Sequence, residues 1–195
     1  AAIKLFVDQG LAGTSTRDIA KASGLNVSLI SYYFGGKEGL YKAVLENFAD
    51  SAGKEMEKLF AEFGGETMTP DRFKNQMKKM IYMTVQLKLN HPSIFILLQR
   101  EVSSGMPFAR DIIEHKFDFM IEAMAGLYAE GQAKGFVRKD INPYIVFLSL
   151  VHAIDVYMQT CRCGGSIMKK IYTLPEQQQE YSEQVFKIFV EGVMI

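Results

Sequence analysis

The sequence predicts an all-α protein of about nine helices, and two features of the residue pattern lead to this prediction. Apolar residues recur at steps of three and four over most of the 195 residues, as they do along one face of an amphipathic helix. Glycine and proline interrupt this pattern at places that suit helix ends, and no segment alternates as a strand would. We therefore expect an N-terminal helical domain, residues 1–48, and a larger helical domain, residues 49–195.

The composition indicates a globular protein with an adaptable apolar interior. Hydrophobic residues make up 48% of the chain and charged residues 23%, and the 11 methionines can fill irregular spaces in a core. No apolar run reaches the roughly 18 residues of a membrane span, so we expect a cytoplasmic protein with no membrane partner. Because the formal net charge is +0, any binding to nucleic acid would depend on a few well-placed cations.

Residues 14–38 contain the most informative local pattern, two short helices joined by a tight turn. Ser15 is a suitable N-cap for the first helix, and Asp18 lies where the acid of a capping box would reach back. Gly24 supplies the left-handed residue that ends this helix, and Asn26 is a suitable cap for the second. Two helices joined in this way have the geometry of a helix-turn-helix, whose second helix enters the major groove of DNA.

A helical hairpin buried in a larger core is the alternative interpretation of this segment. One face of the second helix, however, is small, polar or hydrogen-bonding, and a buried helix would not retain such a face. The residues concerned are Asn26, Val27, Ser28, Ser31 and Tyr32. The local chemistry therefore favours DNA binding over burial.

Six further helices are expected after this motif, each ended by glycine, proline or a polar turn. They run from Lys37 to about Phe63, from about Phe73 to Leu87, from Ser93 to Val102, from Pro107 to about Tyr128, from Tyr144 to about Cys161, and from about Pro175 to Ile195. The helix that begins at Tyr144 is apolar on nearly every face, so nearly every face must be covered.

The last two helices carry more apolar surface than one chain of this size would cover by itself. The economical arrangement is a homodimer in which these helices and their symmetry mates form a four-helix bundle. We expect the dimer interface to include Phe147, Val151, Ile154, Phe186, Phe189 and Val193.

Four segments of the first quarter of the chain occur in a characteristic order. They are Ala2-Ile3-Lys4-Leu5-Phe6, then Thr14-Ser15-Thr16-Arg17-Asp18-Ile19-Ala20, the Asn26-capped helix ending in Tyr32-Tyr33-Phe34, and Gly35-Gly36-Lys37-Glu38-Gly39-Leu40-Tyr41. In order and spacing they resemble the N-terminal domain of the TetR/AcrR family of transcriptional regulators. The resemblance implies that residues 1–48 bind DNA and that residues 49–195 bind a ligand and form the dimer.

The resemblance also implies roles for individual residues of the motif. Those implied to face the major groove, after the Asn26 cap, are Val27, Ser28, Ser31 and Tyr32. Those implied to contact phosphates or the groove edge are Thr16, Arg17, Tyr33 and Lys37. The partners would be a near-palindromic double-stranded operator and a second copy of the chain, and the function that of a repressor released by a small hydrophobic ligand.

The ligand cavity that the resemblance implies would lie among the middle helices, where methionine and phenylalanine recur at helical spacing. The same side chains would otherwise fill a solid core, and the polar residues of the helix that begins at Tyr144 would then be satisfied by hydrogen bonds. The candidate ligand-binding residues are Met77, Met80, Phe95, Phe117, Met120, Met124, His152 and Asp155. Because methionine surfaces re-pack around different shapes, we expect a flat or irregular hydrophobic ligand.

Two other functions are compatible with these residues. One is a helical protein-interaction adaptor, and the other is a redox- or thiol-sensing regulator that uses Cys161 and Cys163, although ordinary reduced cysteines are the simpler interpretation. We expect no enzyme, because the sequence lacks a Glu-x-x-His pair, a nucleophile elbow and a phosphate loop, and we expect no metal or cofactor. Since Ala1 already lies within a helical pattern, we also expect the natural chain to begin before it.

Overall fold

The computed structural model describes residues 1–64, 67–163 and 175–195, with all their side chains except those of 161–163 and 175–178. These residues form ten α-helices, which confirms the predicted all-α class. In chain order they are α1 (Ala2–Gly13), α2 (Thr16–Ser23), α3 (Val27–Phe34), α4 (Lys37–Ala61), α5 (Pro70–Asn90), α6 (Pro92–Ser103), α7 (Arg110–Lys116), α8 (Asp118–Ala133), α9 (Pro143–Cys163) and α10 (Pro175–Phe189). A short 3₁₀-helix, Glu191–Val193, follows α10.

The segment predicted as one helix from Pro107 to about Tyr128 forms α7 and α8 instead. The carboxylate of Glu101 accepts hydrogen bonds from the last two backbone N–H groups before α7, at 2.9 and 3.0 Å, and this holds Pro107 in a turn. A second break falls at Phe117, where φ is −114° and ψ is −9°. Apolar residues keep their helical spacing across this break, so the sequence pattern does not reveal it.

Packing divides the described chain into two compact units. Unit 1 consists of residues 1–56 and 91–118, so that α1, α2, α3, most of α4, α6 and α7 pack together. Unit 2 consists of residues 57–90 and 119–195 and includes α5, α8, α9 and α10. The assignment of DNA binding to residues 1–48 is a functional division of the chain, and it stays a prediction.

Aromatic side chains from three helices form the centre of unit 1. The ring of Tyr41 in α4 packs edge-to-face against Phe6 of α1, with ring centroids 5.1 Å apart, and against Phe108, at 5.7 Å. Two turns further along α4, Phe48 packs in the same manner against Phe95 of α6, at 5.4 Å. Because such pairs bury large rings in a defined geometry, they fix α1 and α6 against α4.

Arg100 of α6 binds the irregular part of α1. This helix is interrupted at Gly10, where φ is +74°, so the carbonyl groups of the preceding turn lose their helical partners. The guanidinium of Arg100 donates to the carbonyl oxygens of Phe6 and Val7, each at 2.8 Å. The hydroxyl of Thr14 donates to the carbonyl oxygen of Gly10 at 2.7 Å. A side chain of α6 thus binds two carbonyl groups of the first helix next to its interruption.

Unit 2 has a methionine-rich core formed by α5, α8, α9 and α10. Met77 and Met80 of α5 and Met124 of α8 are buried there among aliphatic and aromatic side chains. The hydroxyl of Tyr128 donates to the carbonyl oxygen of Phe189 at 2.8 Å, and burial raises the pKa of this tyrosine. The hydrogen bond satisfies a polar group that would be costly to bury alone.

A buried ion pair joins α5 to α9 in the same unit. Lys88 is only 4% exposed, and its ammonium group pairs with Oδ1 of Asp155. Burial lowers the pKa of Lys88, while the negative charge of Asp155 opposes that shift. Because removing one partner of a buried pair leaves an uncompensated charge, the two helices are held in one relative position.

The exposed apolar surface of unit 2 differs from the interface that the sequence predicts. Three expected interface residues are instead buried in the core of the chain itself: Phe147, Ile154 and Val193. The other three pack partly against that core: Val151, Phe186 and Phe189. The exposed apolar side chains on α9 and α10 include Ile145, Leu148, Val156 and Ile188. Although α9 is largely apolar, no helix among the described residues is long and apolar enough to cross a membrane.

Candidate DNA-binding surface

The first helix of the predicted motif, α2, begins at a complete capping box. Ser15 Oγ accepts a hydrogen bond from the backbone N–H of Asp18, and Asp18 Oδ2 accepts one from the backbone N–H of Ser15, both at 3.1 Å. The hydrogen bonds from Ser15 hold the pKa of the Asp18 carboxyl below its usual range, so the box is lost only as the pH falls through that lowered value. Gly24 ends α2 with φ of +70°, which confirms its predicted role.

The second helix, α3, is capped at both ends. Oδ1 of Asn26 accepts a hydrogen bond from the backbone N–H of Ser28 at 2.9 Å, as predicted for an N-cap. At the other end Gly35 has φ of +72°, and its N–H donates to the carbonyl oxygen of Ser31 at 3.0 Å. Ile30 is the buried residue of this helix, and α3 packs against α2. The short helix is therefore fixed in position although most of its surface is open.

One face of α3, which we call the groove face, turns away from the protein. It consists of Val27, Ser28, Ser31 and Tyr32, all of them exposed. Tyr32 is 80% exposed, and its ring packs edge-to-face against that of Tyr33, with the centroids 5.0 Å apart. A helix this open is not part of a buried hairpin, so the alternative interpretation of the motif is excluded.

The residues expected to contact phosphates differ in their surroundings. Thr16 and Arg17 form the first turn of α2, and the side chain of Arg17 is exposed and makes no hydrogen bond to any described residue. Lys37 is already engaged, because its ammonium group donates to the carbonyl oxygens of Leu11, at 2.9 Å, and Ala12, at 3.3 Å. An ammonium group has three donors, so a contact with phosphate remains open to Lys37 and stays a prediction.

The junction between α3 and α4 leaves no room for a side chain. A β-carbon at Gly39 would lie 1.7 Å from the carbonyl oxygen of Phe34, far inside any non-bonded contact distance. Only glycine lets the first turn of α4 approach the end of α3 so closely. Together with the bonds from Lys37 to the end of α1, this contact fixes α1 and α3 on α4.

The candidate ligand-binding residues lie in several different surroundings. Four fill or border the packed core of unit 2: Met77, Met80, Met120 and Met124. In the same unit His152 is exposed, and Asp155 pairs with Lys88. Phe95 and Phe117 belong to unit 1. A cavity of about 560 Å³ in unit 2 lies between α5 and α10, and other residues line it. The side chains of Cys161 and Cys163 lie outside the described residues.

Two family models match the chain and together cover most of it. The model described as "Bacterial regulatory proteins, tetR family" matches residues 1–44. The model described as "Tetracyclin repressor-like, C-terminal domain" matches residues 74–188. The chain belongs to the TetR family. This membership identifies α2 and α3 as the DNA-binding helix-turn-helix of a TetR-family transcriptional regulator.

Individual proteins of known name or structure agree with this membership. The "Probable HTH-type transcriptional regulator YttP" of Bacillus subtilis (strain 168) is 29% identical over 113 residues, which are 58% of this chain and 52% of that protein. The chain therefore spans about half the length of this relative. Such relatives, like the TetR family itself, are transcriptional regulators and not enzymes.

Solved structures establish the same fold over the whole chain. The ketosteroid transcriptional regulator KstR2 of Mycobacterium tuberculosis superposes with a TM-score of 0.74 at 20% identity, covering 100% of this chain and 91% of that one. The transcriptional regulator FadR of Bacillus subtilis, solved in complex with stearoyl-CoA, gives 0.70 at 18% identity and covers 98% of this chain and 95% of that one.

Arg100 and Glu101 lie outside the run that resembles the family and Gly39 lies within it, but the sequence assigns a contact to none of the three. Arg100 contacts carbonyl groups that are far away in the sequence. Glu101 and Gly39 contact backbone atoms that the sequence pattern does not specify. The one sequence signal that could have suggested the first two is an adjacent Arg-Glu pair in the otherwise strongly apolar helix α6.

We expect the substitution Gly39→Ala to destabilise the protein by about 2 kcal/mol or more, because the added methyl group forces α3 and α4 apart. Gly53→Ala in the same helix is the matched control: its β-carbon would meet nothing within 4 Å, and alanine favours the helix by up to about 1 kcal/mol. Urea unfolding followed by circular dichroism measures both effects. Equal stability of the two variants would contradict the close approach of α3 and α4.

Proposed function

We propose that this TetR-family protein is a homodimeric repressor that binds a near-palindromic operator and leaves it when a small hydrophobic ligand binds. The observation that carries the DNA-binding part is the open groove face of a helix that is capped at both ends. Such a helix keeps its side chains in position before DNA arrives, so little ordering cost opposes binding. The protein acts in the cytoplasm, where operator DNA is accessible.

The helix-turn-helix docks with α3 in the major groove and α2 across the backbone. In this arrangement the N-terminal residues of the second helix contact base edges. Val27 and Ser28 form the first turn of α3 and would meet the bases first, followed by Ser31 and Tyr32. Arg17, free of protein partners among the described residues, would bind a phosphate and thereby set the register of the helix on the duplex.

The dimer forms through the apolar face of α9 and α10 that the described residues leave uncovered. Ile145 is 61% exposed, Leu148 51% and Val156 58% on α9, and Ile188 is 63% exposed on α10. The three residues of α9 recur at steps of three and eight, so they lie along one side of the helix. A two-fold axis through this face would bury the same residues of both copies, and the dimer would have two α3 helices, one for each half-site.

Ligand binding in unit 2 would reach the DNA-binding helices through α6. Only His91 separates the end of α5, in unit 2, from the start of α6, in unit 1. Arg100 of α6 is bonded to two carbonyl groups of α1, so a ligand that shifts α5 would pull on α1. The methionines around α5 favour an apolar ligand because they can re-pack around it.

We expect Arg17→Ala to weaken binding to all DNA sequences alike and to flatten the plot of log K against log salt concentration by about 0.9 per protomer, because one phosphate contact is lost. Lys54→Ala is the matched control, since it removes one cation about 25 Å along α4 from Lys37 and should leave the slope unchanged. Fluorescence anisotropy at several salt concentrations measures the slopes. Equal slopes for wild type and Arg17→Ala would rule out this docking.

Leu148→Asp should convert the protein to monomers, because each interface would bury unpaired carboxylates at a cost of about 2–5 kcal/mol. Monomers should lose specific operator binding, since one copy contacts only one half-site. Val102→Asp is the control: Val102 is 49% exposed on α6 and lies outside the proposed interface. Sedimentation at micromolar concentration decides the question, and a wild-type monomer would refute the proposed dimer.

Stearoyl-CoA should release part of the bound operator in a gel-shift titration, whereas coenzyme A without the acyl chain should not. We expect partial release because complete release needs about a 10⁴-fold preference for the released state, roughly 5.5 kcal/mol. Stearate separates the effect of the acyl chain from that of the nucleotide. If all of the operator stays bound to the protein in the presence of stearoyl-CoA and in the presence of stearate, the result contradicts a hydrophobic ligand of this class.

A further inference from the structure

The chemistry of α3 limits which bases it can recognise. From Val27 to Gly36 the chain contains no charged side chain and no amide side chain. Arginine and lysine make the common paired contacts with guanine, and asparagine and glutamine make those with adenine. None of these residue types is available along the helix itself.

Asn26, the one amide next to this segment, is already occupied. Its Oδ1 accepts hydrogen bonds from the backbone N–H and from the hydroxyl of Ser28, both at 2.9 Å. Paired recognition of adenine needs both the oxygen and the nitrogen of an amide group. Asn26 therefore serves the helix, and the hydroxyl of Ser28 is used in the same contact.

Besides the hydroxyl groups of Ser31 and Tyr32, the groove face offers apolar surface to the floor of the major groove. Val27 is 39% exposed in the first turn of α3, and Tyr32, five residues later, is 80% exposed. Ser28 and Ser31 are small, so the bases can approach both apolar side chains. The group on a base edge that such a surface recognises is the C5-methyl of thymine.

We propose that α3 recognises its half-site chiefly through thymine methyl groups, which contact Val27 and the ring of Tyr32. This inference rests on the proposed operator binding and names the chemistry that the operator must present. Guanine has no paired partner on α3, so the half-site contacted by this helix is rich in A·T pairs. Contacts by Arg17 add affinity and orientation but do not determine these positions.

The test begins with an operator selected from random duplex DNA by the purified full chain. Each thymine of the half-site is then replaced singly by deoxyuridine, which keeps the base pair and removes only the methyl group. For each contacted methyl we expect affinity to fall about three- to fivefold, as loss of one buried apolar carbon would give. Replacing guanines by 7-deazaguanine removes the N7 acceptor and should have no effect in the segment that α3 covers.

A protein variant links the methyl effect to one residue. In Val27→Ala the penalty for at least one deoxyuridine position should disappear, because the methyl group no longer has its partner. Val102→Ala is the matched control, since it shortens an exposed valine on α6 and should keep every penalty at its wild-type value. Circular dichroism confirms that both variants are folded.

The possible results separate this inference from the proposed function. Selection that enriches no sequence would contradict operator binding itself. If an operator is enriched but none of its deoxyuridine substitutions lowers the affinity, the thymine-methyl proposal is overturned and operator binding stays intact. A loss of affinity on substitution by 7-deazaguanine in the segment that α3 covers would have the same meaning. The proposal would also be overturned if the loss of affinity on deoxyuridine substitution were unchanged in Val27→Ala and in Tyr32→Ala, because other residues would then contact the methyl groups.

Discussion

The position of α3 depends on the contacts that hold its two ends, and the remaining features of the DNA-binding surface follow from them. Asn26 fixes the first turn, and Gly35 closes the last turn with a left-handed residue. Immediately beyond, Gly39 brings α4 against the carbonyl group of Phe34. Of the groove-face side chains, these contacts use only the hydroxyl of Ser28, so those of Val27, Ser31 and Tyr32 remain available to DNA.

Unit 1 extends this arrangement to α6 by means of two adjacent charged residues. Arg100 donates to carbonyl groups of α1, while Glu101, which is 4% exposed, accepts from the two N–H groups that precede α7. Burial and the nearby charge of Glu101 raise the pKa of Tyr41, so its hydroxyl stays protonated and can donate a hydrogen bond to Glu101. Helix α6 is thus hydrogen-bonded to α1 and to the turn before α7, and all of these belong to the same unit as α3.

Local features of the fold could be predicted from the sequence, and features that depend on distant partners could not. The capping box of Ser15, the turn at Gly24 and the cap at Asn26 involve residues within five positions of one another, and all three predictions are confirmed. The contacts of Arg100 span 93 and 94 residues, and that of Lys88 spans 67. No periodicity in a single segment contains this information.

The same reasoning explains why the predicted interface differs from the exposed surface. α9 is apolar on nearly every side, so the sequence does not indicate which side the chain covers with its own helices. Phe147 and Ile154 turn inward, and Ile145 and Leu148 turn outward, although all four are equally apolar. The methionines could not be assigned from the sequence for the same reason. A packed core and the lining of a cavity have the same apolar composition, so composition does not distinguish them.

Selection of random duplex DNA by the wild-type protein and by Ser31→Asn tests most directly whether α3 is the element that recognises DNA. An asparagine at this exposed position adds an amide that pairs with adenine. We predict that both proteins enrich near-palindromic sites with the same spacing between half-sites, and that the variant changes the preferred base at one symmetric position. Identical enriched sequences for the two proteins would show that α3 does not recognise the operator and would contradict the account.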